Sequence, residues 1–265
     1  MTGTTGPKHQ RAAFLTASWR YLAMLNFRID PAVLQPLVPS GTELDAWQGQ
    51  TVVSVVGFRF LDTRLFGIPV PCHRDFDEIN LRFYVRRNVG GESRRGVTFI
   101  SEVVPKRAIA TVARLAYNEP YVACPTRSRA PESPAVDDAG VVEYAWRLAG
   151  RWNTLRLRSL GRPTALEPGS EAEFITEHYW GYTRQRDMST VEYEVRHPSW
   201  RVWQVSDVTL DCDVARAYGD RFTPALTATP CSAFLAEGSA VTVFRPSRLA
   251  TIAQTACPGV RAGSR

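Results

Sequence analysis

The chain has 265 residues and a formal net charge of +6 at pH 7. Hydrophobic residues make up 44% of it and charged residues 22%, which is typical of a folded globular protein and excludes a disordered or collagen-like chain. The positive charge would suit nucleic acid, but no run of arginines exceeds two residues, and phosphate neutralisation needs clustered cations. We therefore expect a folded protein without a nucleic-acid partner.

Targeting segments and familiar cofactor motifs are missing from the sequence. The opening MTGTTGPKHQ has no apolar signal-peptide core, and no window offers the roughly 18 apolar residues of a membrane span. Five cysteines at wide, irregular spacings favour reduced thiols over a disulfide framework. CxxC, HExxH, GxSxG, P-loop and GxGxxG patterns do not occur. We expect a cytoplasmic protein with no metal, no cofactor and no membrane partner.

Strands dominate the predicted elements in chain order. The segment 14–28 mixes aromatic and aliphatic residues and stops at Asp30 and Pro31. Later segments alternate β-branched or aromatic residues with polar ones, which is typical of strands with one face inward. A glycine-rich turn at 89–96 joins two of them as a hairpin. The predicted strands are 51–61, 78–87, 97–104, 141–148, 153–160, 189–197 and 200–210.

Helices are few and short. Asp30 can cap a helix with Pro31 at its first position, and Ser170 with Glu173 forms a capping-box pattern that predicts two or three turns. The stretch 107–117 fits either a strand or a short helix, and its alanine-rich apolar spacing favours the helix. A further short helix is predicted at 213–219, and the stretch 127–140 is predicted to be a loop because it lacks apolar residues.

Many strands with few helices predict a single α+β domain built on a large, mostly antiparallel sheet that is closed or nearly closed. We expect this domain to span residues 13–245. The polar leader at 1–12 and the tail at 246–265, which has little apolar periodicity, are predicted to be mobile.

One lysine stands out. Lysine occurs only at Lys8 and Lys106, and every other Lys or Arg position is arginine. Lys106 follows the largely apolar run 100–104 and precedes Arg107. A lysine amine is a nucleophile only when neutral, and burial or a neighbouring cation lowers its usual pKa of about 10.4. Lys106 is therefore either a surface lysine at a strand end or a nucleophile.

Three further features are candidates for a site. Glu78 opens a predicted strand and is either a solvated turn residue or a functional carboxylate. Arg20 lies inside an apolar segment, so it needs a carboxylate partner or an anionic ligand unless its stem reaches the surface. The segment 177–187, EHYWGYTRQRD, fits either a packed corner or an aromatic pocket wall. Its wall-forming residues would be His178, Tyr179, Trp180 and Tyr182.

Part of the sequence resembles the acetoacetate decarboxylase superfamily in the order and spacing of its motifs. These motifs are WRYLAMLNFRID, LQPLVPSGTEL, Glu78 and the run Pro105, Lys106 and Arg107. This resemblance covers residues 14–115. Over almost its full length, the chain resembles the YqjF-like uncharacterised bacterial family of that superfamily. The stretches that carry this resemblance are FLTASWRYLAMLNF, TVVSVVGFRFLDTRLFGIPVP, EINLRFYVRR and EFITEHYWGYTRQRD. The resemblance implies an acetoacetate decarboxylase-like β-cone or barrel.

The resemblance also implies a chemistry. Lys106 would attack a substrate ketone to form an iminium, Glu78 would orient the substrate or shuttle a proton, and Arg20 would hold a carboxylate. We therefore predict Lys106, Glu78 and Arg20 as catalytic residues. The predicted cavity residues are Arg107, His178, Tyr179, Trp180 and Tyr182.

The implied activity is a Lys Schiff-base enzyme that acts on a small keto acid or related carbonyl compound by decarboxylation, aldol or dehydration chemistry. The alternative is a noncatalytic small-molecule binding protein that keeps the cavity of the fold. One departure favours that alternative, because Arg107 stands where the superfamily has a second lysine. Enzymes of this superfamily often form homo-oligomers, and the resemblance extends that expectation to this chain.

Overall fold

The computed structural model of the protein describes residues 12–71, 74–105, 120–133 and 136–249. Within these ranges the chain forms fifteen strands and four short α-helices. The strands are β1 (Ala13–Arg28), β2 (Glu43–Leu44), β3 (Val52–Leu65), β4 (Ile68–Pro69), β5 (Phe76–Val89), β6 (Glu92–Val104), β7 (Tyr121–Ala123), β8 (Thr126–Arg129), β9 (Val141–Leu148), β10 (Arg151–Thr164), β11 (Trp180–Arg184), β12 (Thr190–Arg196), β13 (Val202–Asp211), β14 (Ser232–Phe244) and β15 (Ser247–Arg248). The helices are α1 (Pro31–Leu34), α2 (Glu171–Thr176), α3 (Val214–Tyr218) and α4 (Thr223–Leu226).

Seven of the strands close into a ring. Neighbouring strands pair in the order β12, β11, β6, β5, β3, β1 and β14. The ring closes because β14 also pairs with β12, through Val195 opposite Val243 and Arg196 opposite Thr242. The predicted closed, mostly antiparallel sheet with a few short helices is therefore confirmed.

A second layer covers one outer face of the ring. Strands β13, β10, β9 and β8 continue from β14 in that order. Their apolar side chains share one buried core with the outward-facing residues of β1, β3 and β5. This outer core includes Leu25, Val55, Leu81, Tyr144, Trp146, Leu157 and Trp203. A separate core inside the ring includes Leu22, Met24, Val56, Phe58, Tyr84, Phe174 and Trp200. Each ring strand that separates the two cores is apolar on both faces, as a buried strand must be.

Local capping explains where the predicted helices begin. The Asp30 side chain accepts a hydrogen bond from the backbone N–H of Ala32 at 2.8 Å, and α1 begins at the next residue, Pro31. The Ser170 hydroxyl accepts from the N–H of Glu173 at 3.2 Å and begins α2. The predicted helix at 213–219 is confirmed as α3. Helix α2 has six residues and is shorter than predicted, because the chain leaves helical dihedrals at Glu177 to enter β11.

The predicted loop at 127–140 is wrong at its start, where the chain forms β8. Residues 126–129 pair with 143–146 of β9 through their backbones. Backbone pairing at a sheet edge needs no apolar side chains, so the polar composition did not reveal this strand. The Arg127 guanidinium lies 4.3 Å from the centre of the Trp152 ring, which adds a cation–π contact.

The predicted helix at 107–117, most of the leader at 1–12 and residues 250–265 of the tail lie outside the described residues. Within the described ranges, no helix combines the length and apolar character that a membrane crossing requires.

Candidate functional site

A cavity of about 300 Å³ lies inside the ring. All seven ring strands contribute side chains to its wall, together with β7 and α2. This volume is at the lower end of the range for small-molecule pockets.

A large share of the cavity wall is aromatic. The Trp19 ring packs edge-to-face against Phe58 and Phe60, with ring centres 5.4 and 5.6 Å apart. Phe60 stacks on Phe76 at 4.6 Å. Aromatic rings in these arrangements form a rigid apolar surface that favours flat or aliphatic ligand parts. The aromatic wall, as we call it, consists of Phe14, Trp19, Phe58, Phe60, Phe76, Phe99 and Trp200.

One strand places three polar side chains in this apolar cavity. Alternate residues of a strand point to the same face, so Glu78, Asn80 and Arg82 of β5 all face inward, while Ile79 and Leu81 enter the outer core.

Two carboxylates form what we call the acidic end of the cavity, made of Glu78, Asn80, Glu102 and Tyr121. Glu78 is 3% exposed and Glu102 is 1% exposed. Asn80 Nδ2 donates to Glu78 Oε1 at 3.0 Å, and the Tyr121 hydroxyl is 3.5 Å from Glu78 Oε2. Glu102 lies opposite Asn80 on the neighbouring strand β6. Buried carboxylates grouped in a ligand-sized cavity are a typical feature of functional sites.

Arg82, His178 and His197 form a second polar group, the basic end. Burial lowers the pKa of His178 to about 4, because desolvation outweighs the contact of its Nε2 with Asp45 Oδ2 at 3.5 Å. Burial also lowers the pKa of His197, which stacks on Trp200 at 4.1 Å. The Arg82 charge lowers both values further. At neutral pH, arginine is therefore the charged group at this end.

An ion pair behind the cavity wall lies beside His178. Asp45 accepts from Arg95 Nε at 2.8 Å and also lies beside the imidazole. Burial acts to raise the pKa of Asp45, but its contact with His178 and the hydrogen bond from Arg95 outweigh burial and lower the pKa. Asp45 therefore stays a carboxylate beside the neutral ring.

The structure brings some of the predicted site residues together. Glu78, His178 and Trp180 line the cavity. Tyr182 is buried in the outer core. The Tyr179 hydroxyl donates to the Glu177 carboxylate, and its ring lies 4.8 Å from that of His197. Lys106 and Arg107 lie outside the described residues, so their predicted roles stay predictions.

Arg20 does not contact the cavity. Trp19 and Leu22 line the wall, but a β-bulge between them, with Tyr21 at φ 53°, turns Arg20 and Tyr21 away from it. Arg20 Nε donates to Ser18 Oγ at 3.0 Å, and Nη1 donates to the carbonyl of Gly238 at 3.1 Å. The predicted carboxylate-binding role of Arg20 thus has no direct contact with the cavity to support it.

Sequence reasoning did not select Asn80, Arg82, Glu102 or His197. A usable signal was present in EINLR, where polar and apolar residues alternate from Glu78 to Arg82. Alternation alone predicts a polar outer face. Only closure of the ring puts this face inside. Among the described residues, no three His, Cys, Asp or Glu side chains gather as a metal site would require.

Comparisons with known proteins agree with this geometry. The model of the DUF2071 family, described as an uncharacterized conserved protein, matches residues 16–240. The uncharacterized protein YqjF of Bacillus subtilis is 28% identical over 188 residues, which cover 69% of this chain and 72% of YqjF.

Two solved structures share the fold at low sequence identity. The acetoacetate decarboxylase of Legionella pneumophila is 15% identical with a TM-score of 0.59, over 93% of this chain and 92% of that one. The enduracididine biosynthesis enzyme MppR complexed with pyruvate is 14% identical with a TM-score of 0.60, over 93% of each chain. These likenesses establish the acetoacetate decarboxylase-like fold, and the family match extends over most of the sequence. The chain therefore belongs to the DUF2071 family, as a YqjF-like member with an acetoacetate decarboxylase-like fold.

Proposed function

We propose that the protein is an acetoacetate decarboxylase-like enzyme that binds a small keto acid or related carbonyl compound and activates it as a Schiff base on Lys106. The observation that carries this proposal is the acidic end, where Glu78 and Glu102 face one ligand-sized cavity. Glu102 lies four positions before Lys106 in the sequence, and Glu78 lies on β5, the strand that pairs with β6.

Chain connectivity supports a place for Lys106 near this end. Strand β6 runs through Glu102 to Val104, and the chain returns in β7, where Tyr121 pairs with Glu102. The backbone N–H of Glu102 donates to the carbonyl of Pro120 at 3.1 Å. The described strands on either side of the segment 106–119 therefore each contribute a residue of the acidic end, Glu102 before it and Tyr121 after it. Four residues of extended chain span at most about 14 Å, which limits the distance between the Cα atoms of Glu102 and Lys106.

The proposed Schiff-base reaction needs a neutral lysine amine and groups that transfer protons. The neutral Lys106 amine attacks the substrate carbonyl carbon, the carbonyl oxygen leaves as water after two proton transfers, and an iminium remains. When a carboxylate is lost as CO₂, the electron pair of the broken C–C bond moves to the iminium nitrogen and gives an enamine. Protonation at carbon and hydrolysis by water release the product and the lysine. Glu78 and Glu102 would donate and accept these protons.

The solved neighbours add support at the level of the fold. One is an acetoacetate decarboxylase, and MppR was obtained in complex with pyruvate, which is a keto acid. Proteins with this architecture therefore include one that acts on a keto acid and one that binds one.

A noncatalytic binding protein is the second candidate. The extent of the aromatic wall favours it, since an apolar cavity binds ligands without any covalent step. The departure at Arg107 and the position of Arg20 outside the cavity favour it as well.

Borohydride trapping separates the two candidates. With acetoacetate or pyruvate as substrate, reduction should leave a stable adduct on Lys106, located by peptide mass spectrometry. Lys8 is the matched internal control, because it is the other lysine of the chain. The Glu78→Gln variant should form the adduct on the order of 100-fold more slowly, because it loses a proton-transfer group. Absence of an adduct across a panel of keto acids, or equal labelling of Lys8, would reject the Schiff-base proposal.

A further inference from the structure

The basic end has no role in the proposed Schiff-base chemistry, yet it carries a positive charge into an apolar cavity. We propose that Arg82 binds the carboxylate of an elongated monoacid with an aryl or alkyl body, whose carbonyl reaches the acidic end. This inference names the substrate class of the cavity and rests on the proposed function for the reaction at the carbonyl.

Arg82 is partly buried and lacks the partners that such an arginine ordinarily has. Its Nε is buried without a hydrogen-bond partner within the described parts of the chain. Nη2 lies 3.9 Å from Met24 Sδ, which is a weak acceptor, and the guanidinium carbon lies 5.7 Å from the centre of the Tyr84 ring. A guanidinium in apolar surroundings is costly unless an anion binds it.

Neighbouring arginines on the ring strands are paired with carboxylates of the same chain. Arg87 and Arg94 both bind Glu192 at 3.1 Å, and Arg95 binds Asp45 at 2.8 Å. These arginines are partly buried, and each is matched with a carboxylate of the chain. No carboxylate of the described residues lies within 4.0 Å of Arg82. The anion that complements Arg82 is therefore expected to come from a ligand.

The spacing along β5 sets the length of that ligand. Glu78 and Arg82 are four strand residues apart, so their Cα atoms are separated by about 13 Å. The Arg82 guanidinium lies over Tyr84, which is the next inward residue away from Glu78. A carboxylate on Arg82 is thus too far from Glu78 to be the group adjacent to a carbonyl that Glu78 contacts. The ligand needs several carbons between its two functional groups.

The aromatic wall determines the middle of the ligand. Trp19, Phe60 and Phe76 line the same cavity as both polar ends, and contacts of this kind favour a phenyl ring or an alkyl chain over a polar linker. His178 and His197 are neutral at pH 7 and add no second positive charge at the basic end. One fixed cation matches one carboxylate, which favours a monoacid over a dicarboxylate at this end.

Binding of 4-phenylbutanoate and 4-phenylbutanamide to the full chain tests this inference. The two probes have the same body and differ in the charged group. Trp19, Trp180 and Trp200 line the cavity, so tryptophan fluorescence reports occupancy. We expect the acid to bind about tenfold or more tightly than the amide, because a hydrogen bond to a charged group contributes about 1.5–3 kcal/mol.

Variants assign the preference to Arg82. Arg82→Gln should remove the preference for the acid, and Arg82→Lys should keep part of it. Arg158→Gln is the matched control, since Arg158 pairs with Asp207 on the exposed surface, and it should leave the preference unchanged. Equal affinity of the parent protein for acid and amide would overturn the inference without any variant, even if Arg82→Gln failed to fold.

The outcome can be separated from that of the Schiff-base proposal. If pyruvate is trapped on Lys106 but the acid and amide bind equally, the reaction stands and the proposed substrate class is wrong. If no keto acid is trapped but the acid binds through Arg82, the carboxylate subsite stands in a binding protein.

Discussion

The imidazole of His178 lies between the rings of Tyr84 and Phe174, with ring centres 4.7 and 5.3 Å away. Burial lowers its pKa to about 4, below the value of 6.5 that an exposed histidine has. Between these two values the unfolded chain binds more protons than the folded protein. The free energy of unfolding should therefore fall as the pH drops from 6.5 towards 4, by up to about 3 kcal/mol from this residue.

Urea denaturation between pH 4 and pH 7 measures this contribution in the parent protein and in His178→Gln. The variant should show a smaller loss of stability over this interval. His197 contributes in the same direction, so some loss should remain. The lowered pKa of Asp45 acts below pH 3.8 and lies outside the interval. Identical pH profiles for parent and variant would show that His178 is not held neutral by the fold.

At the scale of the elements, the bulge in β1, where its register with β3 shifts between Arg20 and Ala23, decides which side chains reach the cavity. Arg20 pairs with Gly238, which has φ +79°, and a Cβ there would lie 2.1 Å from the backbone oxygen of Trp19. Gly238→Ala should lower the free energy of unfolding by about 2 kcal/mol or more, because the left-handed backbone and the backbone clash both oppose the methyl group.

Gly91→Ala is the matched control for this prediction. Gly91 has φ +86°, but a Cβ there would meet nothing within 4 Å. Gly91→Ala should lower the free energy of unfolding by only about 1 kcal/mol, the cost of the left-handed backbone conformation alone. Chemical denaturation of both variants gives the difference. A Gly238→Ala variant as stable as Gly91→Ala would show that close contact with Trp19 is not what holds the bulge.

Individual strands and hairpins were the part of the structure that the sequence could predict. The hairpin of β5 and β6 follows from alternation and a glycine turn, because both act between residues close in sequence. Glu78 was selected from its place before a strand and from the family resemblance. Arg82 and Glu102 were not selected as site residues. A local sequence pattern shows that the two faces of a strand differ in polarity, but it does not show which face is enclosed. The inward turn of Trp19 and the outward turn of Arg20 depend on a bulge that no residue pattern in β1 announces.

At the scale of the whole molecule, enclosure comes from contacts between distant parts of the chain. The ring closes where β12 meets β14 and where β11 joins β6 in parallel. These pairings involve residues tens of positions apart, so propensity and turn chemistry cannot specify them. They decide that the polar face of β5 lines a cavity. The fold class was therefore predictable from strand content and resemblance, whereas the composition of the cavity required the closed ring.

Charge is also organised at this scale. Many arginines that contribute to the net charge of +6 lie opposite carboxylates on exposed faces. These pairs include Arg64–Asp62, Arg86–Glu43, Arg151–Asp211, Arg158–Asp207, Arg201–Glu237 and Arg248–Asp187. Paired guanidinium groups are poorly available to phosphates, and nucleic-acid affinity depends on the number of phosphates that a surface neutralises.

We therefore expect binding to duplex DNA weaker than a Kd of about 10⁻⁴ M at physiological salt, the weak limit of ordinary nonspecific binding. Fluorescence anisotropy with a labelled duplex between 50 and 300 mM NaCl measures both affinity and its salt dependence. A protein that releases few counterions should give a shallow slope of log Kd against log salt. A micromolar Kd with a steep slope would show that the arginines form a continuous phosphate-binding surface, because isolated ion pairs cannot release several counterions together.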